Sequence, residues 1–216
     1  MKVAFLGRHF PKNSLSIGIN ISPLLTTKEH GANVEKICIS AHGPFTHIDT
    51  PYHFCDHGRK ITDFDVEDFC GPGVLFDARG WDLKKKLVTL EMFKEAGGAN
   101  LLSLGSQRVI LLVWTGWYEG KVIDSDFTKD HPVIEEKLAQ ALTGLPIKMV
   151  CLDTPSPDPS NGPYDVHQIL LQYGIFIGES FGGLEAIKDI EEDFSIVAYP
   201  LPLPTGGAPV VPFAIR

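Results

Sequence analysis

Three short apolar runs, separated by helical patterns, constrain this chain more than any other feature. Val109 to Val113 is a continuous run of branched aliphatic residues, as expected for a strand covered on both faces. Ile147 to Leu152 is a second such run, and Ile175-Phe176-Ile177 a third. A helix is expected between the first two, opened by Asp130-His131-Pro132 and closed by Gly144, because proline suits a first turn and glycine a C-terminus. His131 then reads as a surface residue at the helix start. A second helix spans Tyr164 to Tyr173, with Val166, Ile169, Leu170 and Tyr173 as its apolar stripe and Gly174 as its stop. Strands alternating with helices imply an α/β domain. Val74 to Ala78 reads as a further buried strand, and Thr89 as the cap of a short helix from Leu90 to Ala96. Short strands at Val3 to Leu6, Ile17 to Ile21 and Val34 to Ile39, and later at Phe194 to Ala198 and Val210 to Ile215, add antiparallel character. The expected architecture is one α/β domain over residues 1–216, with a mixed β-sheet flanked by helices.

Composition excludes several functions. The formal charge of −8 argues against nucleic acid and anionic membranes as partners. It leaves a small-molecule substrate open, because a metal can dominate its local field. No apolar run approaches the length of a membrane span. Cys38, Cys55, Cys70 and Cys151 form no C-x-x-C pair, so reduced thiols in a cytoplasmic protein are the expectation. Cys38 and Cys151 lie in apolar runs and read as buried fillers. The first residues are broken too soon by charge to form a signal peptide. No G-x-G-x-x-G follows a strand and no Walker sequence is present, so nucleotide-binding folds gain no support.

The chemistry concentrates in Thr46-His47-Ile48-Asp49-Thr50-Pro51-Tyr52-His53. In extended backbone, His47 and Asp49 point the same way. Imidazole and carboxylate together suit a divalent ion such as zinc or manganese. Pro51 ends regular pairing, which places His53 in irregular backbone near the same face. A lone histidine is more often structural than a ligand, so this reading requires further ligands elsewhere. His167, beside the apolar stripe of its helix, and Glu179, at a strand end, are available. Trp114-Thr115-Gly116-Trp117-Tyr118 follows a buried strand, where aromatics and a glycine mark a pocket rim or simply pack.

These motifs resemble those of the cyclase-family metal-dependent hydrolases, the group that includes bacterial kynurenine formamidase and isatin hydrolase. The family signature H-x-G-T-H-x-D-x-P-x-H is similar to the stretch from Thr46 to His53. Leu152 to Pro159 resembles G-I-D-T-x-S-x-D-P, Leu112 to Trp117 resembles L-L-x-T-G-W, and His167 followed by Glu179 keeps the spacing of a second ligand pair. The resemblance implies a swivelling β/β/α fold and a metal site of His47, Asp49, His167 and Glu179, holding one or two zinc or manganese ions. It also implies His53 as the proton-transfer residue, and a homodimer or higher homo-oligomer. Trp114 and Trp117 would wall the substrate pocket. The implied reaction is hydrolysis of a C–N amide bond, in an arylformamide or a cyclic amide. A lactone or ester hydrolase, and a non-catalytic binding relative, are the alternatives. In one place the chain departs from the signature: Gly43 stands where the family has its first histidine, and His42 precedes it. On a regular strand His42 would face away from His47, whereas a bulge at Gly43-Pro44 would bring it back. Ser22 to Val34 also lacks the aromatics that relatives carry before the signature.

Overall fold

The structure, a computed structural model, describes residues 1–7, 18–82, 86–98, 107–119, 127–189 and 193–216; Ile17 of the expected second strand lies outside them. The strands are β1 (Val3–Phe5), β2 (Ile19–Leu25), β3 (Val34–Ile39), β4 (His47–Asp49), β5 (Cys70–Asp77), β6 (Leu87–Val88), β7 (Val109–Trp114), β8 (Val133–Ile134), β9 (Ile147–Leu152), β10 (Phe176–Glu179), β11 (Ser195–Val197), β12 (Gly207–Pro209) and β13 (Phe213–Ile215). The helices are α1 (Thr27–His30), α2 (Leu90–Glu95), α3 (Glu136–Leu142) and α4 (Asp165–Gln172). One mixed sheet runs in the order β1-β13-β11-β5-β7-β9-β10-β4-β12. Its middle, β5-β7-β9-β10, is parallel. Both ends are antiparallel, with β11, β13 and β1 on one side and β4 and β12 on the other.

The apolar run at β7 is buried on both faces for a visible reason. Val109, Leu111 and Val113 join Leu138 and Leu142 of α3 and Val166 and Leu170 of α4 in one core cluster. The alternate residues Ile110, Leu112 and Trp114 join a second cluster with Ile48 of β4, Ile196 of β11 and Ala214 of β13. Both ends of the sheet therefore share a core with its middle. Each such fully buried aliphatic side chain contributes roughly 1.5–3 kcal/mol, so the strand ends that carry polar groups rest on a rigid platform.

Three expectations need correction. The helix expected from Asp130 begins only at Glu136. Asp130 adopts φ 55°, a left-handed conformation that no α-helix continues through. Val133–Ile134 pairs instead with β6 as a strand, and His131 is buried at 4% exposure rather than lying on the surface. Second, the strand at Val34–Ile39 adds nothing to the mixed sheet; β3 pairs with β2 in a separate two-stranded sheet. Third, Cys38 on that hairpin is exposed, whereas Cys151 is buried as expected. No helix among the described residues is long and apolar enough to cross a membrane.

Candidate metal centre and its cavity

β4 lies between β10 and β12, and this placement assembles the site. His47 pairs across to Glu179 and Asp49 to Ile177, so His47, Asp49 and Glu179 project from adjacent strands onto one face. Ile48, between the two ligand candidates, is buried in the core on the other face. Pro51 opens a 3₁₀ turn, Pro51–His53, which folds His53 back over the strand end. α4 supplies His167, buried at 3% exposure. Ser180 knits the sequence blocks together: its N–H donates to the Thr154 carbonyl at 2.8 Å, and its carbonyl accepts from Thr46 Oγ1 at 2.8 Å. It does so at φ 56°, a conformation that costs a non-glycine residue on the order of 1 kcal/mol and recurs at functional sites.

The four expected ligands converge. His47 Nε2 lies 3.4 Å from Asp49 Oδ1 and 3.3 Å from Glu179 Oε2. His167 Nε2 lies 3.1 Å from Glu179 Oε1 and 3.7 Å from Asp49 Oδ2. Each imidazole is oriented through its other nitrogen. His47 Nδ1 lies 2.8 Å from the Phe45 carbonyl, and His167 Nδ1 lies 2.6 Å from Asp158 Oδ2. Donation through Nδ1 leaves Nε2 as the inward-facing nitrogen, the arrangement found around metal-bound histidines. Asp49 Oδ2 is buried with no hydrogen-bond partner among the described residues, which is costly unless a cation meets it. The donor set thus fits a divalent ion.

His42 reaches the site despite its offset. β3 ends at Ile39 and β4 starts at His47, so strand alternation does not govern the intervening residues. His42 Nδ1 lies 2.7 Å from Asp49 Oδ1, and its ring stacks on His53 with centroids 3.7 Å apart. Two donor groups therefore share Asp49: His47, Asp49 and Glu179, and His42, Asp49 and His53.

Electrostatics divide the histidines. Burial alone would depress His47, but the charge and hydrogen bond of Asp49, with Glu179, push it up to about 9. Burial likewise opposes His167, yet the carboxylates of Asp158, Asp49 and Glu179 raise it well above the usual value. Burial would raise Asp49; His47, His167 and His42 instead hold it well below the carboxylate range. His53 goes the other way, to about 4: burial lowers it most, Asp49 pulls against that, and the charges of His42, His167 and His47 add to the lowering.

Above the cluster opens a cavity of about 600 Å³ whose walls include His42, His53, Phe54, His131, Ser156 and Tyr164. Trp114 and Trp117, the expected substrate residues, are not among the residues lining it. Trp114 faces the other side of the sheet, under the Arg79 guanidinium 3.1 Å from its ring centre, and lines a second cavity with Asp153. Trp117 donates from Nε1 to the Phe127 carbonyl at 2.9 Å and backs onto His131. Phe54 and Tyr164 supply the aromatic wall instead, with centroids 5.7 Å apart. Their positions offered a signal, since Phe54 follows His53 and Tyr164 lies one turn before His167. Asp153 accepts from Thr115 N–H and Oγ1 at 3.0 and 2.7 Å. Its burial raises it to about 6, against those bonds.

Two residues outside the expected set shape the centre. Asp158 accepts the backbone N–H groups of Val166 and His167 as well as the His167 ring, which fixes both the start of α4 and the imidazole it carries. Asp158→Asn is expected to weaken metal binding by roughly 10–100-fold, measured by competition with a chromophoric chelator. Gly207 faces Asp49 across the β12 pairing. A Cβ there would stand 2.3 Å from His42 Cε1 and 2.7 Å from Asp49 Oδ1. Gly207→Ala should displace both side chains, at a cost of about 1–3 kcal/mol in stability; an unchanged denaturation midpoint and metal affinity would refute this.

Residues 9–159 match the family model described as "Putative cyclase". The chain belongs to the cyclase family. Kynurenine formamidase of Bacillus cereus (strain ATCC 10987 / NRS 248) is 32% identical over 181 residues, which cover 82% of this chain and 78% of that protein. Kynurenine formamidase of Geobacillus thermodenitrificans (strain NG80-2) is 29% identical over 186 residues, 85% of this chain and 80% of that one. Among solved structures, isatin hydrolase A from Labrenzia aggregata superposes with a TM-score of 0.77 at 19% identity, covering 99% of this chain and 93% of the other. A predicted metal-dependent hydrolase from Bacillus stearothermophilus gives 0.74 at 20% identity, covering 99% and 97%. These superpositions establish the cyclase-family fold; the ligand geometry above is this chain's own.

Proposed function

We propose that this protein is a divalent-metal-dependent hydrolase of non-peptide C–N bonds, acting on aryl formamides or cyclic aryl amides. One observation carries the reading. Two imidazoles, each held at Nδ1, turn Nε2 toward two carboxylates at the floor of a cavity, beside a third imidazole held neutral. The names of the kynurenine formamidase and isatin hydrolase relatives support the bond type.

His47, Asp49, His167 and Glu179 would hold the ion. Bound there, zinc or manganese supplies Lewis acidity toward water and carbonyl groups. The chain does the rest. His53, neutral near pH 7 by its depressed value, accepts the proton of the attacking water. Once protonated it is a strong acid and delivers that proton to the departing amine nitrogen, which leaves poorly without it. Phe54 and Tyr164 stack against the aryl group and orient the scissile bond.

The test is hydrolysis of formanilide by protein stripped of metal and reloaded with zinc or manganese. Metal-dependent formate release is expected; no turnover of formanilide or a cyclic anilide with either metal would overturn the proposal. Elemental mass spectrometry should give one ion per chain. Two would assign His42 and His53 to a second ion and withdraw His53 from proton transfer.

Metal affinity should depend on pH with a definite sign. In the metal-free protein His47 titrates at about 9, so at neutral pH an incoming ion must displace its proton. Affinity should therefore rise at least about tenfold per pH unit and flatten above His47's value. Titration in weak buffer should show proton release at neutral pH. The expected homo-oligomer remains a proposal. Leu24 and Ile37, exposed at 61% and 63% on the β2–β3 hairpin, support it, and analytical ultracentrifugation tests it.

A further inference from the structure

The structure assigns a second ligand site to the side of the sheet opposite the metal centre: a cavity that takes a small aliphatic diamine as its dication. The site is independent of the hydrolase reading, since the metal cavity and this one share no wall among the described residues. Its volume is about 430 Å³, room for far more than one water, whose share of the liquid is about 30 Å³. Trp114, Tyr118 and Leu184 give it apolar surface, which suits methylene groups.

Three observations carry the proposal. First, the buried wall of the cavity is Asp153, 1% exposed. Its Oδ1 accepts from Thr115, but Oδ2 is buried with no hydrogen-bond partner. Burial pushes its pKa up to about 6, and hydrogen bonds from Thr115 and from the backbone of Tyr118 and Gly116 limit the rise, so at neutral pH the group is mostly a carboxylate. A buried carboxylate oxygen left unmet is costly, and an ammonium donor removes that cost. Second, Glu119 and Glu185 also line the cavity, with side chains 50% and 56% exposed, and so mark its outer side. The cations nearby do not balance these acids. Arg79 engages Asp77 first, through bonds of 2.9 and 2.8 Å; its contacts to Glu185 and Glu119 are longer, at 3.4 and 3.6 Å. Lys188 pairs with Glu185. Third, the arrangement fits an organic cation rather than a metal ion. Among the described residues, carboxylates and imidazoles converge closely enough to hold an ion only at the metal centre. Here one carboxylate is buried and two face outward, with apolar surface beside them. Two ammonium groups joined by methylenes match that spacing of charge.

The experiment titrates 1,4-diaminobutane into protein incubated with zinc and dialysed, so that metal keeps the amine off the carboxylates of the metal centre. Calorimetry should show saturable binding at one site per chain, at least about tenfold tighter than for uncharged 1,4-butanediol. Butylamine, with one ammonium group, should bind about fivefold more weakly than the diamine, the scale of an exposed ion pair. Asp153→Asn should weaken the diamine about tenfold or more, because an amide there still accepts from Thr115 but turns a donor toward the ligand. Glu119→Gln/Glu185→Gln should bring the diamine down to the level of butylamine. Glu35→Gln/Glu91→Gln makes the same change of net charge on other surfaces and should leave the affinity unchanged, which separates a site from general attraction to an acidic chain. No binding of the diamine, equal affinity for diamine and butylamine, or an affinity unmoved by Asp153→Asn overturns the site. So does an equal loss in the two glutamine pairs. If Asp153→Asn does not fold, the two pairs, all at exposed positions, decide the question.

Discussion

His53→Ala is expected to lower kcat/KM by about 10²–10⁴-fold, the usual contribution of a positioned acid–base group, with bound metal unchanged. The argument is positional and electrostatic. His53 hangs over the ligand cluster on the turn that Pro51 opens, stacked on His42 and 5.8 Å, centre to centre, from His167. Its surroundings favour the neutral ring, through burial first and the neighbouring imidazoles after it. It therefore accepts a proton readily where an ordinary histidine is partly charged. Its protonation should place the acid limb of the pH–rate profile toward 4 rather than near 6.5. Steady-state kinetics with elemental analysis of the same sample checks both halves. Full activity in the variant would remove His53 from the chemistry; loss of metal along with activity would make it a ligand.

Asp49→Asn should have the larger effect on metal, abolishing stoichiometric binding and with it turnover. Asp49 is common to both donor groups and contacts His42, His47 and His167. An asparagine keeps the shape but removes the charge that the ion meets. It also reverses the logic of His47. That ring is held protonated chiefly by Asp49 against its own burial; without the carboxylate, burial dominates and the ring loses its proton at lower pH. The metal-free variant should therefore show a downward shift of the His47 titration by NMR. Tight, stoichiometric metal in Asp49→Asn would place the ion elsewhere.

Much of this was legible in the chain. The runs at Val109 and Ile147, and the stripe of the helix that carries His167, report burial directly, because hydrophobic periodicity is a local consequence of which face meets the core. The pair His47 and Asp49 was readable for the same reason, since a strand places residues two apart on one face wherever it lies. The false start at Asp130 has an equally physical origin. The Asp-His-Pro pattern suits a helix start, but pairing with β6 claimed the next residues, and tertiary pairing overrides local propensity.

His42 and Gly207 show where local reading ends. Alternation turns His42 away from His47, yet alternation holds only inside a strand, and here the strand stops before His42 and resumes at His47. Gly207 belongs to a Pro- and Gly-rich connection whose pairing with β4 becomes visible only in space. Trp114 is the converse case: its place at a strand end was plain, but which side of the sheet it faces was not. The sequence by itself determined most of the strands and helices, the buried runs and the residue types gathered at the site, because those follow from periodicity and the chemistry of single residues. Only the tertiary structure decided that β12 covers β4, that Phe54 and Tyr164 rather than the tryptophans wall the cavity, and that His42 joins Asp49. Each of these depends on contacts between segments distant along the chain, about which local pattern carries no information.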